Sequence, residues 1–186
     1  MNIYEALYGR RSVRNYSTEP LDDELIRRLI DAAIQAPSAV NEQPWTFTVV
    51  RNQALLERIS HDAKAYMLEN LPAVPQSERL RSMLGDAGFQ IFHHAPALIL
   101  VSGRAEEPWI VEDCTLAAEN LMLAAHADGL GTCWIGFAQR YLDTPEGKAA
   151  LGIPAQWKPV APIIVGRPRS VPLPVSRKAA EVMWLD

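Results

Sequence analysis

Cysteine is scarce in this sequence, with only Cys114 and Cys133 among its 186 residues. The two are far apart and form neither a CxxC pair nor a spacing typical of metal ligands, so neither a disulfide framework nor a metal site is indicated. Two free thiols are typical of a reducing compartment. We therefore expect a cytoplasmic protein without a metal centre.

Long hydrophobic runs are also missing. No stretch approaches the roughly 20 apolar residues that a membrane-spanning helix requires, and residues 1–5 lack the basic and then apolar regions of a signal peptide. Hydrophobic residues make up 48% of the chain and charged residues 22%, average values that argue against disorder, collagen-like repeats and coiled coils. We expect a single domain, residues 1–186, with no membrane partner.

The chain has no excess of positive charge, because 18 Lys and Arg against 22 Asp and Glu give a net charge of -4. Nucleic-acid affinity comes largely from neutralising phosphates, so an acidic chain argues against a nucleic-acid partner. The positive charge is nevertheless concentrated near the two ends, at Arg10, Arg11, Arg14, Arg167, Arg169, Arg177 and Lys178. These side chains are either solvated surface charges or a divided site for one small anion, since arginine matches phosphate geometry and Ser12 adds a hydroxyl donor.

Conventional catalytic motifs are absent as well. The sequence has no P-loop, no GxSxG turn and no HExxH pair. Gly129 and Gly131 follow a helical pattern rather than a strand, so they indicate a helix end and a tight turn instead of a dinucleotide-binding loop. Because no acid, base and nucleophile are grouped, a catalytic role would depend on a cofactor that supplies the chemistry.

Six segments have helical patterns. An apolar stripe from Leu21 to Ala33, with acidic residues 22–24 at its start, predicts a helix that ends before Pro37. Thr144 and Pro145 begin a short helix that ends at Gly152. Further helices are predicted at residues 3–8, 53–60, 77–93 and 108–128, the last being the longest and ending at Gly129 as a left-handed cap. Residues 61–76 have only a weak pattern and are predicted to form a mobile excursion.

Five segments outside these helices favour extended structure. Residues 45–50 and 97–101 are strand-length runs, and the second is apolar enough to be buried on both faces. Residues 131–137 are predicted to be extended, and 160–165 form a strand in which Pro162 would suit a sheet edge or the start of the strand. Residues 10–16 are also predicted to be extended, and the prolines after Gly166 indicate an extended arm.

Four sequence blocks are informative together. They are RRSVRNY at residues 10–16, APSAVNEQPWTF at 36–47, AAHADGLGTCWIG at 124–136 and IVGRP at 164–168. In this order, and over nearly the whole chain, they resemble the motifs of the FMN-dependent nitroreductase family. The first block alone is weak evidence, whereas the four together are specific.

The resemblance implies an α+β sandwich, in which helices surround a central mixed but mainly antiparallel sheet and an extended arm ends the chain. It also implies a homodimer with two FMN molecules at its interface. Arg10, Arg11 and Ser12 would hold the phosphate and ribityl end of FMN. Arg177 and Lys178 match a C-terminal basic pair that closes over the phosphate.

The same resemblance implies contacts to the flavin ring. Arg14 would lie near the pyrimidine edge, where a positive charge favours the anionic reduced form. Ile135 and Gly136 would place a backbone N–H near flavin N5. The partner subunit would line the ring with Pro37, Ser38, Ala39 and Asn41.

The implied activity is that of an oxidoreductase. NAD(P)H delivers a hydride to the flavin and leaves, and a nitroaromatic, a quinone or a similar small-molecule acceptor takes its place, which is a ping-pong mechanism. No side chain has to act as an acid, so no catalytic residue is expected. Three alternatives remain open: a member specialised for another flavin-dependent oxidation or a dehalogenation, a flavin-binding dimer without turnover, and a binder of nucleic acid or another polyanion.

Overall fold

The computed structural model describes residues 1–104, 108–170 and 172–185. Seven α-helices and four β-strands lie within these residues. The helices are α1 (Ile3–Gly9), α2 (Asp23–Ala33), α3 (Gln53–Asn70), α4 (Glu78–Gly85), α5 (Ile110–Ala127), α6 (Gly136–Leu142) and α7 (Pro145–Leu151). The strands are β1 (Trp45–Val50), β2 (Ala97–Gly103), β3 (Gly131–Trp134) and β4 (Lys158–Gly166).

The four strands form one sheet in the order β1–β2–β4–β3, and every neighbouring pair is antiparallel. An isolated parallel bridge joins Ser12 to Thr132 of β3. β2 is buried along its whole length, as its apolar run predicts. The arrangement confirms the expected α+β fold; its four strands are all antiparallel, and the parallel pairing is confined to the isolated bridge.

Helices cover both faces of this sheet. Alternate residues of β2 point to opposite faces. Ile99 and Val101 pack with residues of α2 and α5, whereas Leu98 and Leu100 pack with residues of α3 and α6. The sheet therefore separates two apolar layers, and residues 172–185 form a largely exposed arm without helix or strand.

Local signals set the ends of several helices. Asp22 Oδ1 accepts the Leu25 N–H at 2.7 Å and starts α2, and Thr144 Oγ1 accepts the Gly147 N–H at 3.1 Å and starts α7. After α5 and α7 the chain turns in the left-handed region, with φ of 74° at Gly129 and 65° at Gly152. These four boundaries confirm the expectations from capping residues and glycine.

Three expected boundaries are wrong. The helix predicted at 53–60 continues to Asn70, because Lys64 Nζ binds the carbonyls of Asp86 at 2.6 Å and Phe89 at 2.8 Å and so ties the predicted excursion to the fold. The helix predicted at 77–93 ends at Gly85, and φ of 52° at both His93 and His94 is incompatible with a helix. The extended segment predicted at 131–137 ends as β3 at Trp134, since α6 begins at Gly136.

Pro162 lies in the interior of the sheet rather than at its edge, because β4 pairs with both β2 and β3. The N–H and C=O of one strand residue point to the same neighbouring strand. The Pro162 carbonyl accepts the Ile135 N–H at 2.8 Å, just beyond the end of β3. The missing N–H therefore costs no pairing to β2, which explains why an interior strand tolerates this proline.

Candidate cofactor site

A cavity of about 510 Å³ opens where β3 ends and α6 begins. Arg14, the C-terminal part of α3, the end of β3 and the first turns of α6 all contribute to its lining. Three residues that the sequence motifs assign to the flavin ring, Arg14, Ile135 and Gly136, line this cavity. The structure thus brings two sequence blocks that are more than a hundred residues apart to one place.

The N-terminal segment reaches the cavity by pairing with the sheet. Val13 N–H donates to the Thr132 carbonyl at 2.9 Å, and the Tyr16 hydroxyl donates to the Val13 carbonyl at 2.6 Å. Burial raises the pKa of Tyr16, so its hydroxyl stays protonated and keeps this bond. A Cβ atom at Gly131 would lie 2.7 Å from Val13 Cβ. The segment can therefore approach β3 only because residue 131 is glycine.

Arg10 and Arg11 border a second, smaller recess of about 200 Å³ beside α5. Arg10 Nε lies 3.4 Å from Glu119 Oε1, and Arg11 Nη1 donates to the backbone carbonyls of Tyr8 at 2.7 Å and Arg10 at 2.8 Å. Burial and then the charges of Arg10 and Arg11 lower the pKa of His126, which also lines the recess. His126 is therefore neutral at pH 7, and the positive charge here belongs to the two arginines.

Two titratable groups of the main cavity carry no charge at neutral pH. Burial raises the pKa of the Cys133 thiol, and the Arg14 charge and hydrogen bonding from Ser12 offset this only in part. Burial, followed by the Arg14 charge, lowers the pKa of His93. Among the described residues that line the cavity none is Asp or Glu, and the cationic side chains are Arg14 and Arg140.

The two basic ends of the chain meet beside this cavity. Arg169 N–H donates to the Asn15 carbonyl at 3.0 Å, and Arg14 and Arg169 line the same groove. Arg177 and Lys178 lie further along, in the exposed arm, and do not line the cavity of their own chain. Part of the two basic clusters thus comes together within one chain, whereas the anion site itself and the contacts of Arg177 and Lys178 stay predictions.

The loop of residues 37–43 lies away from the cavity, at the start of α5. Ala39 N–H donates to Asp113 Oδ1 at 3.1 Å. The loop is strained, because Val40, Asn41 and Gln43 have φ of 41°, 61° and 48°, in a region that residues other than glycine seldom occupy. The following residues assigned to the flavin ring therefore do not line the cavity of their own chain: Pro37, Ser38, Ala39 and Asn41.

Several residues of the cavity and of the strained loop were not predicted from the sequence. Tyr66 and Asn70 reach the cavity because α3 continues past residue 60, and their spacing of four was the available signal. Phe137 and Arg140 reach it because α6 begins at Gly136. Asp113 supports the strained loop, and the sequence does not distinguish this buried acid from its exposed neighbour Glu112.

Removing the Asp113 carboxylate is expected to loosen this loop. Asp113 is 5% exposed, so Asp113→Ala leaves the Ala39 N–H without its acceptor and should lower the free energy of unfolding by about 1–3 kcal/mol. Urea unfolding would measure the change. Asp113→Asn keeps an oxygen acceptor and serves as the control. Equal losses in both variants would contradict the assigned hydrogen bond.

The part of the chain that the structure describes contains neither a candidate membrane-spanning helix nor a candidate metal site. No helix there is both long and apolar enough to cross a membrane. Nor do three or more His, Cys, Asp or Glu side chains come together there in an arrangement that could hold a metal ion. The expected free thiols are present, because Cys114 and Cys133 are both unpaired and buried.

Comparison with known proteins gives a consistent result. The model of the Nitroreductase family matches residues 7–167. A Methanothermobacter thermautotrophicus protein, provisionally named NADH dehydrogenase/NAD(P)H nitroreductase, is 35% identical over 178 residues, covering 92% of this chain and 80% of that protein. A 5,6-dimethylbenzimidazole synthase of Rhodospirillum rubrum is 32% identical over 173 residues, covering 86% of this chain and 79% of that protein.

A solved structure supports the same assignment. The crystal structure of a nitroreductase from Bacteroides fragilis with bound FMN has a TM-score of 0.85 to this chain at 27% identity, and the match covers 100% of both chains. The fold, the order of the sequence blocks and the cavity they share agree with the family match over residues 7–167. The chain therefore belongs to the nitroreductase family.

Proposed function

We propose that the chain is a cytoplasmic, FMN-dependent oxidoreductase that takes a hydride from NAD(P)H and reduces nitroaromatics, quinones or similar acceptors. The observation that carries this proposal is the cavity between Arg14 and the β3–α6 junction. A Cβ atom at Gly136 would meet no atom within 4 Å, so a flat ring system has room there. The cytoplasmic location rests on the two cysteines, which are free and buried.

In this proposal the side chains bind and orient FMN rather than react. The Ile135 N–H already donates to Pro162 at 2.8 Å, so the N–H available to flavin N5 is that of Gly136, the first residue of α6. Arg14 supplies positive charge to the pyrimidine edge, and the arginines and hydroxyl of residues 10–12 hold the phosphate. When bound, FMN supplies the two-electron chemistry that links NAD(P)H to the acceptor.

We also propose that two copies of the chain complete each site. Several large apolar side chains are exposed in the single chain, which is unusual for a stable monomer. They lie on α1 and α5 and along the arm, at Ile3, Tyr4, Leu7, Tyr8, Val111, Leu116, Leu173, Val175, Val182, Met183, Trp184 and Leu185. Burying them in a homodimer would bring the strained loop of residues 37–43 and the basic pair of the arm to the partner's cavity.

The first test is the visible absorbance spectrum of the purified protein, followed by anaerobic addition of NADH or NADPH. We expect flavin bands that bleach with at least one nucleotide and return when a nitroaromatic or a quinone is added. Steady-state kinetics should give the parallel lines of a ping-pong mechanism, and sedimentation should give twice the mass of one chain. A colourless protein that does not take up added FMN would contradict the proposal.

A side chain at position 136 should block FMN without affecting the fold. In Gly136→Val the added atoms enter open space in the cavity, so they compete with the ring and not with protein atoms. We expect the ratio of bound flavin to protein to fall by about tenfold or more, which corresponds to a loss of about 1.4 kcal/mol. Gly136→Ala, with a smaller side chain, should have an intermediate ratio.

The apo forms of these variants provide the control. Thermal unfolding of the flavin-free proteins should give midpoints for both variants that are no lower than that of the parent, since a Cβ atom at position 136 meets no protein atom within 4 Å and glycine is a poor helix former. A Gly136→Val protein that retains the flavin content of the parent would place the ring elsewhere.

A second candidate function is a different flavin-dependent oxidation. It is favoured by the 32% identity to a protein named 5,6-dimethylbenzimidazole synthase, and a dehalogenation belongs to the same class of alternative. In either case NAD(P)H would still bleach the flavin, but nitroaromatics and quinones would not restore its colour efficiently. The re-oxidation step of the anaerobic titration therefore separates the two candidates.

A further inference from the structure

Arg140 is a cationic side chain of the cavity that the flavin contacts do not use. It lies on α6 one helical turn after Gly136 and is exposed. With Gly136 and Tyr66 it lines both the main cavity and a neighbouring groove that also contains Asp143 and Lys158. Arg140 therefore stands where the main cavity opens into this groove.

No acidic group neutralises Arg140 within the described residues. The cavity lining among them holds no Asp or Glu. The carboxylate that lines the groove belongs to Asp143. It already forms ion pairs with Lys148, with Nζ 3.3 Å from Oδ1, and with Lys158, with Nζ 2.7 Å from Oδ2. No carboxylate of the described chain lies within 4.0 Å of the Arg140 guanidinium, whereas Arg10 and Arg167, for example, are each paired with a glutamate.

Aromatic side chains stand next to this charge. The Tyr66 ring is held against Tyr141 with ring centres 6.3 Å apart, and the Phe137 ring packs edge-on against Phe89 at 6.4 Å. Both Tyr66 and Phe137 line the cavity with Arg140. Fixed aromatic rings beside a guanidinium form a suitable environment for a flat ligand that carries an oxyanion.

We infer that Arg140 binds the oxyanion of the ligand that occupies this cavity with FMN, either the carboxylate of an aromatic electron acceptor or the 2′-phosphate of NADPH. The inference rests on the proposed function, because Arg14 is taken to serve the flavin and Arg140 is then the cation left for the second ligand. The chain as a whole has a net charge of -4 and would repel such anions. Their selection must therefore come from the local charge at Arg140.

The test compares, in the holoenzyme, pairs of ligands that differ by one oxyanion group. The acceptors are 4-nitrobenzoate and 4-nitrobenzyl alcohol, which differ by the carboxylate, and the reductants are NADPH and NADH, which differ by the 2′-phosphate. In Arg140→Gln we expect the ratio of kcat/KM for the ligand with the additional oxyanion to that for the ligand without it to fall by about tenfold, the usual value of one charge-assisted hydrogen bond. Arg140→Lys keeps the charge but not the planar fork, so its ratio should lie between those of parent and Arg140→Gln.

Arg27→Gln is the control for a general loss of positive charge. Arg27 is exposed on α2, whose apolar residues pack on the sheet face opposite to those of α6. Its removal changes the net charge by the same amount, and both ratios should stay at the parent value. A decrease in Arg27→Gln as large as that in Arg140→Gln would indicate long-range attraction and would overturn the inference.

The experiment distinguishes the two possible sources of the oxyanion, the acceptor and the nucleotide. A decrease for 4-nitrobenzoate alone identifies the acceptor, and a decrease for NADPH relative to NADH identifies the nucleotide. If neither ratio changes, the inference is wrong. Calorimetric binding of benzoate and benzyl alcohol to the purified protein adds a readout without turnover, so the role of Arg140 is tested even if the proposed reduction fails in the parent.

Discussion

Replacing Ser12 with aspartate is expected to give a protein that purifies without flavin. Ser12 lies between Arg11 and Arg14 in the segment that pairs with β3. In Ser12→Asp a carboxylate would repel the FMN phosphate and compete with it for the neighbouring guanidinium groups. We expect a loss of roughly 3 kcal/mol in binding free energy, or about a hundredfold in affinity.

Fluorescence titration of the apo protein with FMN measures this change, and Ser12→Ala is its control. The alanine variant loses one hydroxyl donor without gaining a charge, so it should retain most of its flavin. Because the backbone of residue 12 and not its side chain pairs with Thr132, circular dichroism should be the same for both variants. A Ser12→Asp protein as yellow as the parent would show that the phosphate lies elsewhere.

Gly147→Ala is expected to destabilise the protein strongly, against the usual effect of this substitution in a helix. Alanine normally stabilises a helix interior by about 1 kcal/mol relative to glycine. At position 147, however, the new Cβ atom would overlap the Tyr141 carbonyl oxygen and lie 2.7 Å from Leu142 Cα. These are backbone atoms at the α6–α7 corner, where Thr144 Oγ1 donates to Tyr141 at 2.7 Å, and they cannot move aside.

We expect Gly147→Ala to lower the free energy of unfolding by roughly 3 kcal/mol. The midpoint of thermal unfolding should fall by about 6–12 °C for a chain of this size. Gly85→Ala is the matched control, because a Cβ atom there would meet nothing within 4 Å. It should be neutral or slightly stabilising. If the two variants have equal midpoints, the α6–α7 corner is able to relax.

Helices and strands were predicted correctly where residues close in sequence determine them. Residues 45–50 have the aromatic and β-branched pattern of a strand and form β1, and Thr144 and Gly152 mark both ends of α7. The continuation of α3 to Asn70 was missed, since it depends on contacts of Lys64 with a distant loop. The interior position of β4 was missed for a similar reason, because strand order is a property of the whole sheet.

The candidate site was predicted only in part, because some of its features depend on contacts between distant parts of the chain. The motif residues Arg14, Ile135 and Gly136 line one cavity, so the sequence blocks indicated a real juxtaposition. The available backbone donor could not be predicted, because only the fold shows that the Ile135 N–H is already bound. Arg140 has no neighbouring motif, and its role depends on where α6 begins and on which carboxylates the lysines occupy.

The proline in β4 has a consequence for where the sheet stops. Ile135 and Pro162 occupy the next hydrogen-bonded pair beyond β3, in which each residue would normally donate to the other. The Ile135 carbonyl is instead free to accept the Ala138 N–H at 3.1 Å, within the first turn of α6. A residue with an N–H at position 162 would compete for that carbonyl and extend the strand at the expense of the helix. The missing N–H in a central strand thus leaves the Ile135 carbonyl to the first turn of α6, which begins at Gly136 beside the cavity.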